Sequence, residues 1–256
     1  MSQSIENLHA VVTGGGQGIG AAIARRLDAL GLRLTLMGRS RAPLEETART
    51  LRQAQAVTVD VTDEAGVQAA FEQARTAFGP VSILVNNAGA AASAPFDKTD
   101  SATWKRMLDV NLNGIFYCTR PVLNDMRAAA WGRIINIAST AGIKGYAYIS
   151  AYCAAKHGAV GLTRALAIET ARSGITVNAV CPGYTDTDLL HEAIRNIMDK
   201  TGMSREAAEK TLKAVNPQNR FVDPDEVAAT VAWLCLPGSE SITGQAIAIA
   251  GGEIMP

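Results

Sequence analysis

Short apolar runs alternating with longer helical patterns along nearly the whole chain predict an α/β fold, a single-domain Rossmann-type doubly wound parallel sheet of about seven strands. Two further observations support this class. Most of the apolar runs are continuous rather than alternating, as expected of parallel strands covered on both faces. A glycine-rich turn also separates the first run from the first helical stretch.

The elements follow in order. LHAVVT (8–13) reads as the first strand, and TGGGQGIG (13–20) turns the chain into a helix near 18–30. RLTLMG (33–38) leads to a helix near 43–53, AVTVD (56–60) to one near 63–78, and SILVNN (82–87) to one spanning 101–128. RIINIA (133–138) precedes a helix over 150–172, and ITVNAV (175–180) is the next strand. A helix near 224–236, opened by Asp223-Pro224, precedes the last strand, QAIAIA (245–250). Right-handed crossovers leave few ways to connect such strands. No internal repeat or linker interrupts the chain, so residues 1–256 read as one domain.

One segment breaks the rhythm. About forty residues lie between ITVNAV and Asp223, and HEAIRNIMDK and SREAAEKTLKAV within them have helical patterns. An insertion over about 183–222, at the carboxyl end of a strand, is placed to act as a lid over a ligand; an oligomer contact is the alternative.

Composition excludes several classes. Lys+Arg 24 balances Asp+Glu 24, so the charge excess of a nucleic-acid binder or a polybasic membrane-surface protein is missing. No apolar stretch reaches the ~18 residues of a membrane helix, and MSQSIENLHAVVT has no signal-peptide pattern. Cys118, Cys153, Cys181 and Cys235 form no CxxC pair and read as buried free thiols in a reducing cytosol. The expectation is a soluble cytoplasmic protein with neither nucleic acid nor membrane as partner. His9 and His191 have no metal-ligand spacing, so no metal is expected.

The glycine cluster is suited to phosphate. Gly14 and its neighbours let a diphosphate approach the backbone amides, and the helix start beyond them supplies free N–H groups. At the end of the second strand an acidic residue would mark NAD; here stand Gly38-Arg39-Ser40-Arg41. Arg39 can pair with a 2′-phosphate and Ser40 can donate to it, which favours NADP(H) and leaves NAD(H) open. Asp60 either meets an adenine amino group or serves as a turn acid before Thr62.

Tyr152 and Lys156 stand four apart on one helix face, where an ammonium can stabilise a phenolate and lower the tyrosine pKa. Ser139 ends RIINIAS and presents a hydroxyl at a strand tip. Together they are suited to moving a proton on or off a carbonyl or alcohol oxygen. His157 is rotated about 100° from Lys156 and so away from this face. Tyr146 and Tyr148 either line the substrate pocket or pack in a core or interface.

With these parts in place, the chain resembles the short-chain dehydrogenase/reductase family over essentially its whole length. TGGGQGIG, Asp60-Val61, NNAG at 86–89, Asn111 in VNLNG, Ser139, Tyr152-x-x-x-Lys156 and PGYTDT at 182–187 occur in the family's order. The resemblance implies Tyr152 as acid/base, Ser139 as substrate-oxygen holder, Lys156 on the nicotinamide ribose and Asn111 holding a relay water. It implies cofactor contacts at Gly14, Gln17, Gly18, Ile19, Gly20, Asp60, Val61, Asn86, Ala88, Gly89, Pro182, Gly183, Thr185 and Thr187. Asn86 and Gly89 would line the adenosine and ribose side, and Thr187 would bond the nicotinamide carboxamide. NADP-using relatives often carry a basic residue where this chain has Gln17, so Arg39 stands nearly alone for phosphate recognition.

The text around Ser139 and Tyr152 is most similar to bacterial ketoacyl and polyketide ketoreductases, and hydroxybutyrate and aryl-alcohol dehydrogenases share much of it. The resemblance implies an NADP(H)-dependent oxidoreductase interconverting a ketone, β-ketoacyl or aryl among the candidates, and a secondary alcohol. It also implies a homo-oligomer, a tetramer by family habit. An NAD-dependent secondary-alcohol or 3-hydroxyacyl dehydrogenase is the alternative enzyme. A non-catalytic dinucleotide-binding sensor or scaffold is the alternative of another class, and the intact Ser139–Tyr152–Lys156 group argues against it.

Overall fold

The computed structural model describes residues 4–255. Its strands are β1 (His9–Thr13), β2 (Arg33–Gly38), β3 (Ala54–Thr58), β4 (Val81–Asn86), β5 (Gly132–Ile137), β6 (Ile175–Pro182) and β7 (Ala246–Ile249). Its α-helices are α1 (Gly18–Ala29), α2 (Arg41–Arg49), α3 (Glu64–Phe78), α4 (Ser101–Leu108), α5 (Gly114–Ala128), α6 (Ser150–Thr170), α7 (Asp188–Thr201), α8 (Arg205–Lys213) and α9 (Pro224–Cys235). The strands form one seven-stranded sheet in the order β3-β2-β1-β4-β5-β6-β7, with every pairing parallel. The winding reverses between β1 and β4, so a crevice opens at their carboxyl ends, where such sheets bind ligands.

Each face of the sheet buries its own apolar layer. Val12, Leu34, Leu36 and Ile135 pack against Ile23 and Leu27 of α1, Leu44 of α2 and Val227 and Val231 of α9. Val11, Leu84, Ile134 and Val177 pack against Phe71 of α3, Val122 and Met126 of α5 and Ala167 of α6. Phe71 is fully buried, and truncating such a side chain to alanine costs about 3–5 kcal/mol. Two buried layers of this size hold the strand ends rigid and leave the loops beyond them to carry the site.

Three boundaries differ from the sequence expectation for physical reasons. β3 ends at Thr58 because its only neighbour, β2, ends at the paired Gly38, so Asp60 lies beyond the strand. α2 begins at Arg41, ahead of Pro43, since proline is tolerated in a first helical turn. The helix expected over 101–128 is interrupted by a π-turn at Asp109–Asn113, where the Gly114 N–H reaches back five residues to the Asp109 carbonyl. Such turns insert one residue into a helix and recur at functional sites.

The segment after β6 folds as α7 and α8, which share a small apolar core of Leu190, Ile194, Ala208 and Leu212 with Tyr184 and Phe221 packed against it. Lys200, near the end of α7, donates to the Ser93 carbonyl at 3.1 Å and so ties this unit to the loop after β4. All four cysteines are free and buried. Among the described residues no helix is long and apolar enough to cross a membrane.

Candidate active site

A cleft of about 890 Å³ runs along the carboxyl ends of the central strands. Gly14, Gln17, Gly18 and Ile19 line it at the end of β1, and Arg39 and Ser40 at the end of β2. Asp60, Val61, Ala88 and Gly89 follow, then Asn111, Ser139, Tyr152 and Lys156, with Pro182, Gly183, Thr185 and Thr187 at the end of β6. A second hollow, of about 730 Å³ between α3 and α5, is lined by Glu64, Glu72, Arg75 and Arg120 and contains none of the expected site residues. Most of the expected site residues gather in the first.

The phosphate cradle is built by backbone. Gly14 and Gly18 hold φ of +63° and +51°, the left-handed region that glycine enters without strain. A Cβ on Gly14 would also come within 2.8 Å of the Asn87 amide nitrogen. Gln17 stands at the N-cap of α1 without making a side-chain cap bond, so no side chain competes for the N–H groups of the first turn. These features fit a diphosphate. Arg39 is exposed at the cleft edge and makes no ion pair among the described residues, whereas Arg41 is bonded to Glu45 at 2.7 Å. The Arg39 guanidinium is therefore available to a phosphate. Asp60 uses Oδ1 to accept from the Thr62 N–H and hydroxyl at 3.0 and 2.8 Å, so it serves as a turn acid while also lining the cleft.

Two expected contacts fall elsewhere. Asn86 does not reach the cleft: it is buried below it, donating to Thr119 Oγ1 and Asn136 Oδ1 at 3.2 and 2.9 Å. Strand alternation puts it on the α5 face with Leu84, and Asn87 lines the cleft instead. Asn87 Nδ2 donates to the carbonyls of Thr13 and Gly14 at 2.9 and 3.1 Å, bracing the cradle. Gly20 is not part of the wall either. A Cβ there would run into the Gly14 carbonyl oxygen, so this glycine lets α1 pack onto the turn.

The catalytic candidates come from three elements. Ser139 follows β5 and caps a short 3₁₀ turn, Thr140–Gly142, its Oγ accepting from the Ala141 N–H at 3.1 Å. Tyr152 and Lys156 lie in the first turns of α6. A Cβ on Gly142 would stand 2.7 Å from the Lys156 carbonyl, so only glycine lets the Ser139 turn and α6 approach so closely. Lys156 Nζ donates to the Ile137 carbonyl at 2.8 Å and lies 5.6 Å from the centre of the Tyr152 ring.

The protonation states differ from the sequence expectation. Burial pushes the Tyr152 phenol up to about 12, and the adjacent Ser139 hydroxyl only partly opposes it. Burial pulls Lys156 down to about 8. The ammonium is turned toward the Ile137 carbonyl, so desolvation outweighs any lowering of the phenol that the four-residue spacing suggested. At neutral pH the site rests with a neutral phenol and a cationic lysine.

Asn111 sits in the π-turn, fully buried, with Nδ2 donating to the carbonyls of Ala90 and Met107 at 2.9 and 3.0 Å. Its Oδ1 accepts from the Ala90 N–H at 3.2 Å, so the π-turn pins the loop beside the cradle. A Cβ on Gly89 would lie 3.1 Å from Asn111 Oδ1 and 3.8 Å from Lys156 Nζ, which marks the gap between the two side chains. His157 points its Nδ1 to the Cys153 carbonyl at 2.9 Å on the exposed side of α6. Tyr146, Tyr148, Tyr184, Leu189, Ala193 and Ile197 complete the cleft around Tyr152. Among the described residues no group of His, Cys, Asp and Glu could hold a metal ion.

A family model described as short chain dehydrogenase matches residues 8–197. The fold superposes on the crystal structure of an actinorhodin polyketide ketoreductase variant with NADPH, with TM-score 0.93, 39% identity and 99% of each chain covered. The cis-4-hydroxycyclohexanecarboxylate dehydrogenase of Sinomonas cyclohexanicum is 38% identical, over 98% of both proteins. The D-beta-hydroxybutyrate dehydrogenase of Cupriavidus necator is 36% identical, over 96% of this chain and 97% of that one.

Proposed function

Because the chain belongs to the short chain dehydrogenase family, we propose that it is an NADP(H)-dependent oxidoreductase that interconverts a ketone and a secondary alcohol. The observation that carries this reading is the meeting of Ser139, Tyr152 and Lys156 with the glycine cradle and Arg39 in one cleft. When bound, the nicotinamide supplies the hydride chemistry. The residues of this chain supply binding, orientation and the proton.

Gly14, Gln17, Gly18 and Ile19 hold the diphosphate, and Arg39 with Ser40 takes the 2′-phosphate. Asp60, Val61, Ala88 and Gly89 border the adenosine half, while Pro182, Gly183, Thr185 and Thr187 border the nicotinamide half. Ser139 and Tyr152 direct two hydroxyls at the substrate oxygen, where negative charge develops in reduction. Tyr152 gives that oxygen its proton. Burial keeps the phenol protonated, the form that a reductive proton donor needs. Lys156, poised near pH 8, replaces the proton, and Asn111 holds the route by which solvent recharges the lysine.

The helices α7 and α8 act as a lid, a role supported by Leu189, Ala193 and Ile197 facing the cleft. The chain works as a homo-oligomer, a tetramer by family habit. Trp104 on α4, Phe116 on α5 and Ile168 on α6 are exposed and support it. Four free, buried cysteines fit a reducing cytoplasm.

The test is a coupled screen of prochiral ketones, β-ketoacyl thioesters and secondary alcohols with NADPH and NADH. Turnover of a ketone with NADPH is expected. Tight cofactor binding with no turnover of any carbonyl or alcohol would refute the reading and favour a non-catalytic nucleotide sensor. A preference for NADH would favour the oxidative dehydrogenase, to which the uncharged Gln17 at the cradle also points.

A further inference from the structure

Glu253 is a carboxylate where packing alone would place an apolar side chain. It lies past β7, far from the catalytic residues in sequence, yet its side chain is only 2% exposed. Gly251 and Gly252, at φ +59° and +92°, turn the chain after β7 so that Glu253 re-enters the fold. Burying a carboxylate is costly unless its oxygens are paired. Here they are. Lys144 Nζ lies 3.0 Å from Oε1, and the Tyr146 hydroxyl donates to the same carboxylate.

The contacts continue toward the reaction centre. The Tyr146 hydroxyl is 2.7 Å from Thr140 Oγ1, and Thr140 follows Ser139 in the chain. The Thr140 carbonyl accepts from the N–H groups of Ile143 and Lys144, both at 3.0 Å, which closes the turn that presents Ser139. Lys144 Nζ also rides 4.8 Å above the Tyr146 ring. On its other side, Glu253 Oε2 would stand 3.2 Å from a Cβ on Gly183, in the segment leading to Tyr184. Tyr146 and Tyr184 both line the cleft, whereas Glu253 stands behind them. The far end of the same loop is tied as well, the Ala94 N–H donating to the Tyr148 carbonyl at 2.8 Å.

We infer that Glu253 is a positioning residue: through Tyr146 and Lys144 it fixes the substrate-facing wall of the cleft and the turn that aims Ser139. The inference rests on the ketone-reducing reading above. A carboxylate held in this place sets the Tyr146 ring against the substrate and the Ser139 hydroxyl against its oxygen. Small displacements at such positions are expensive in rate, because a misplacement of about 1 Å can cost about a hundredfold. Glu253 does not touch the reacting atoms, so its effect must pass through Tyr146.

The test compares wild type, Glu253→Gln, Glu253→Ala, Tyr146→Phe and the Glu253→Ala/Tyr146→Phe double variant on ethyl acetoacetate or another prochiral ketone that the wild type reduces. Steady-state kinetics, NADPH affinity and the ratio of product enantiomers are measured for each. The inference expects Glu253→Ala and Tyr146→Phe each to lower kcat/KM by about ten- to hundredfold, with NADPH affinity kept. It expects each to shift the enantiomer ratio, which loss of stability alone does not move. The double variant should be no worse than the poorer single variant, since one linkage is broken twice. Glu253→Gln, which still accepts from Tyr146, should recover most of the rate. Losses that multiply in the double variant, or a Tyr146→Phe protein with unchanged kinetics and enantiomer ratio, would overturn it. Tyr146→Phe removes a single oxygen, so it decides the matter even where Glu253→Ala does not fold. A wild type that turns over no carbonyl would instead overturn the proposed function.

Discussion

Replacing Lys156 by methionine should remove a pH dependence of stability that belongs to this residue alone. Lys156 is 4% exposed, and among the described residues its ammonium makes one hydrogen bond, to the Ile137 carbonyl at 2.8 Å, and no ion pair. Burial brings its pKa from 10.5 down to about 8. Below about pH 8 the lysine is charged in both folded and unfolded chains, and the folded protein bears the full cost of burying the charge. Between about pH 8 and about pH 10.5 the unfolded chain binds more protons, so stability rises with pH. At roughly 1.4 kcal/mol per pKa unit the whole span is worth about 3 kcal/mol, of which about 2 kcal/mol falls between pH 7.5 and pH 10.

Other groups titrate nearby with the opposite sign. Burial pushes Cys118 and Cys235 up to about 12 and Cys181 up to about 11, and it holds the Tyr152 phenol near 12. Each of these keeps its proton longer in the folded state and so lowers stability as pH rises above its ordinary value. All are present in wild type and variant alike, and Cys181, which feels the Lys156 charge, keeps its folded-state proton up to about pH 10, so over this range the difference between the two proteins reports Lys156. Urea unfolding under reducing conditions, at steps from about pH 7.5 to about pH 10, should show wild type gaining about 2 kcal/mol on Lys156→Met. Parallel stability curves would refute a desolvated lysine at this position.

Three further outcomes follow from the same geometry. Arg39→Asp should weaken NADPH binding about ten- to hundredfold and improve NADH binding; unchanged affinities for both would show that Arg39 discriminates nothing. Ser139→Ala should lower kcat by about 10²–10³-fold with cofactor affinity intact, as expected for loss of one hydroxyl at a developing oxyanion. His9 is buried between Thr35 Oγ1 and the Gly79 carbonyl with its pKa pulled down to about 4, so stability should be lost as pH falls from about 6.5 to about 4. Urea midpoints of a His9→Leu variant should lack that slope; an identical slope would assign it to other groups.

Much of the site was legible because its parts are local. TGGGQGIG, Tyr152-x-x-x-Lys156 and PGYTDT each specify a turn or one helix face within a few residues, and the parallel sheet gathers them at one edge. Asn86 and Asn87 show what adjacency hides: period-two alternation sends the first under α5 and leaves the second to line the cleft. The π-turn at Asp109–Asn113 adds a single residue to a helix whose apolar pattern continues through it, so helical periodicity gave no sign of it. The pKa of Tyr152 depends on how deeply α6 sinks against the Ser139 turn, which spacing along the chain does not report. Glu253 meets Tyr146 across 107 residues, and only the fold brings them together.

The proposed reaction requires Tyr152 as the proton donor to a substrate oxygen in a cleft that also binds the nicotinamide cofactor. Single-turnover oxidation of bound NADPH by a ketone that the wild type reduces, followed in Tyr152→Phe, tests it directly. The predicted result is a rate at least about a hundredfold slower than wild type, with NADPH bound as tightly. A near-wild-type rate in the variant with cofactor bound would contradict it.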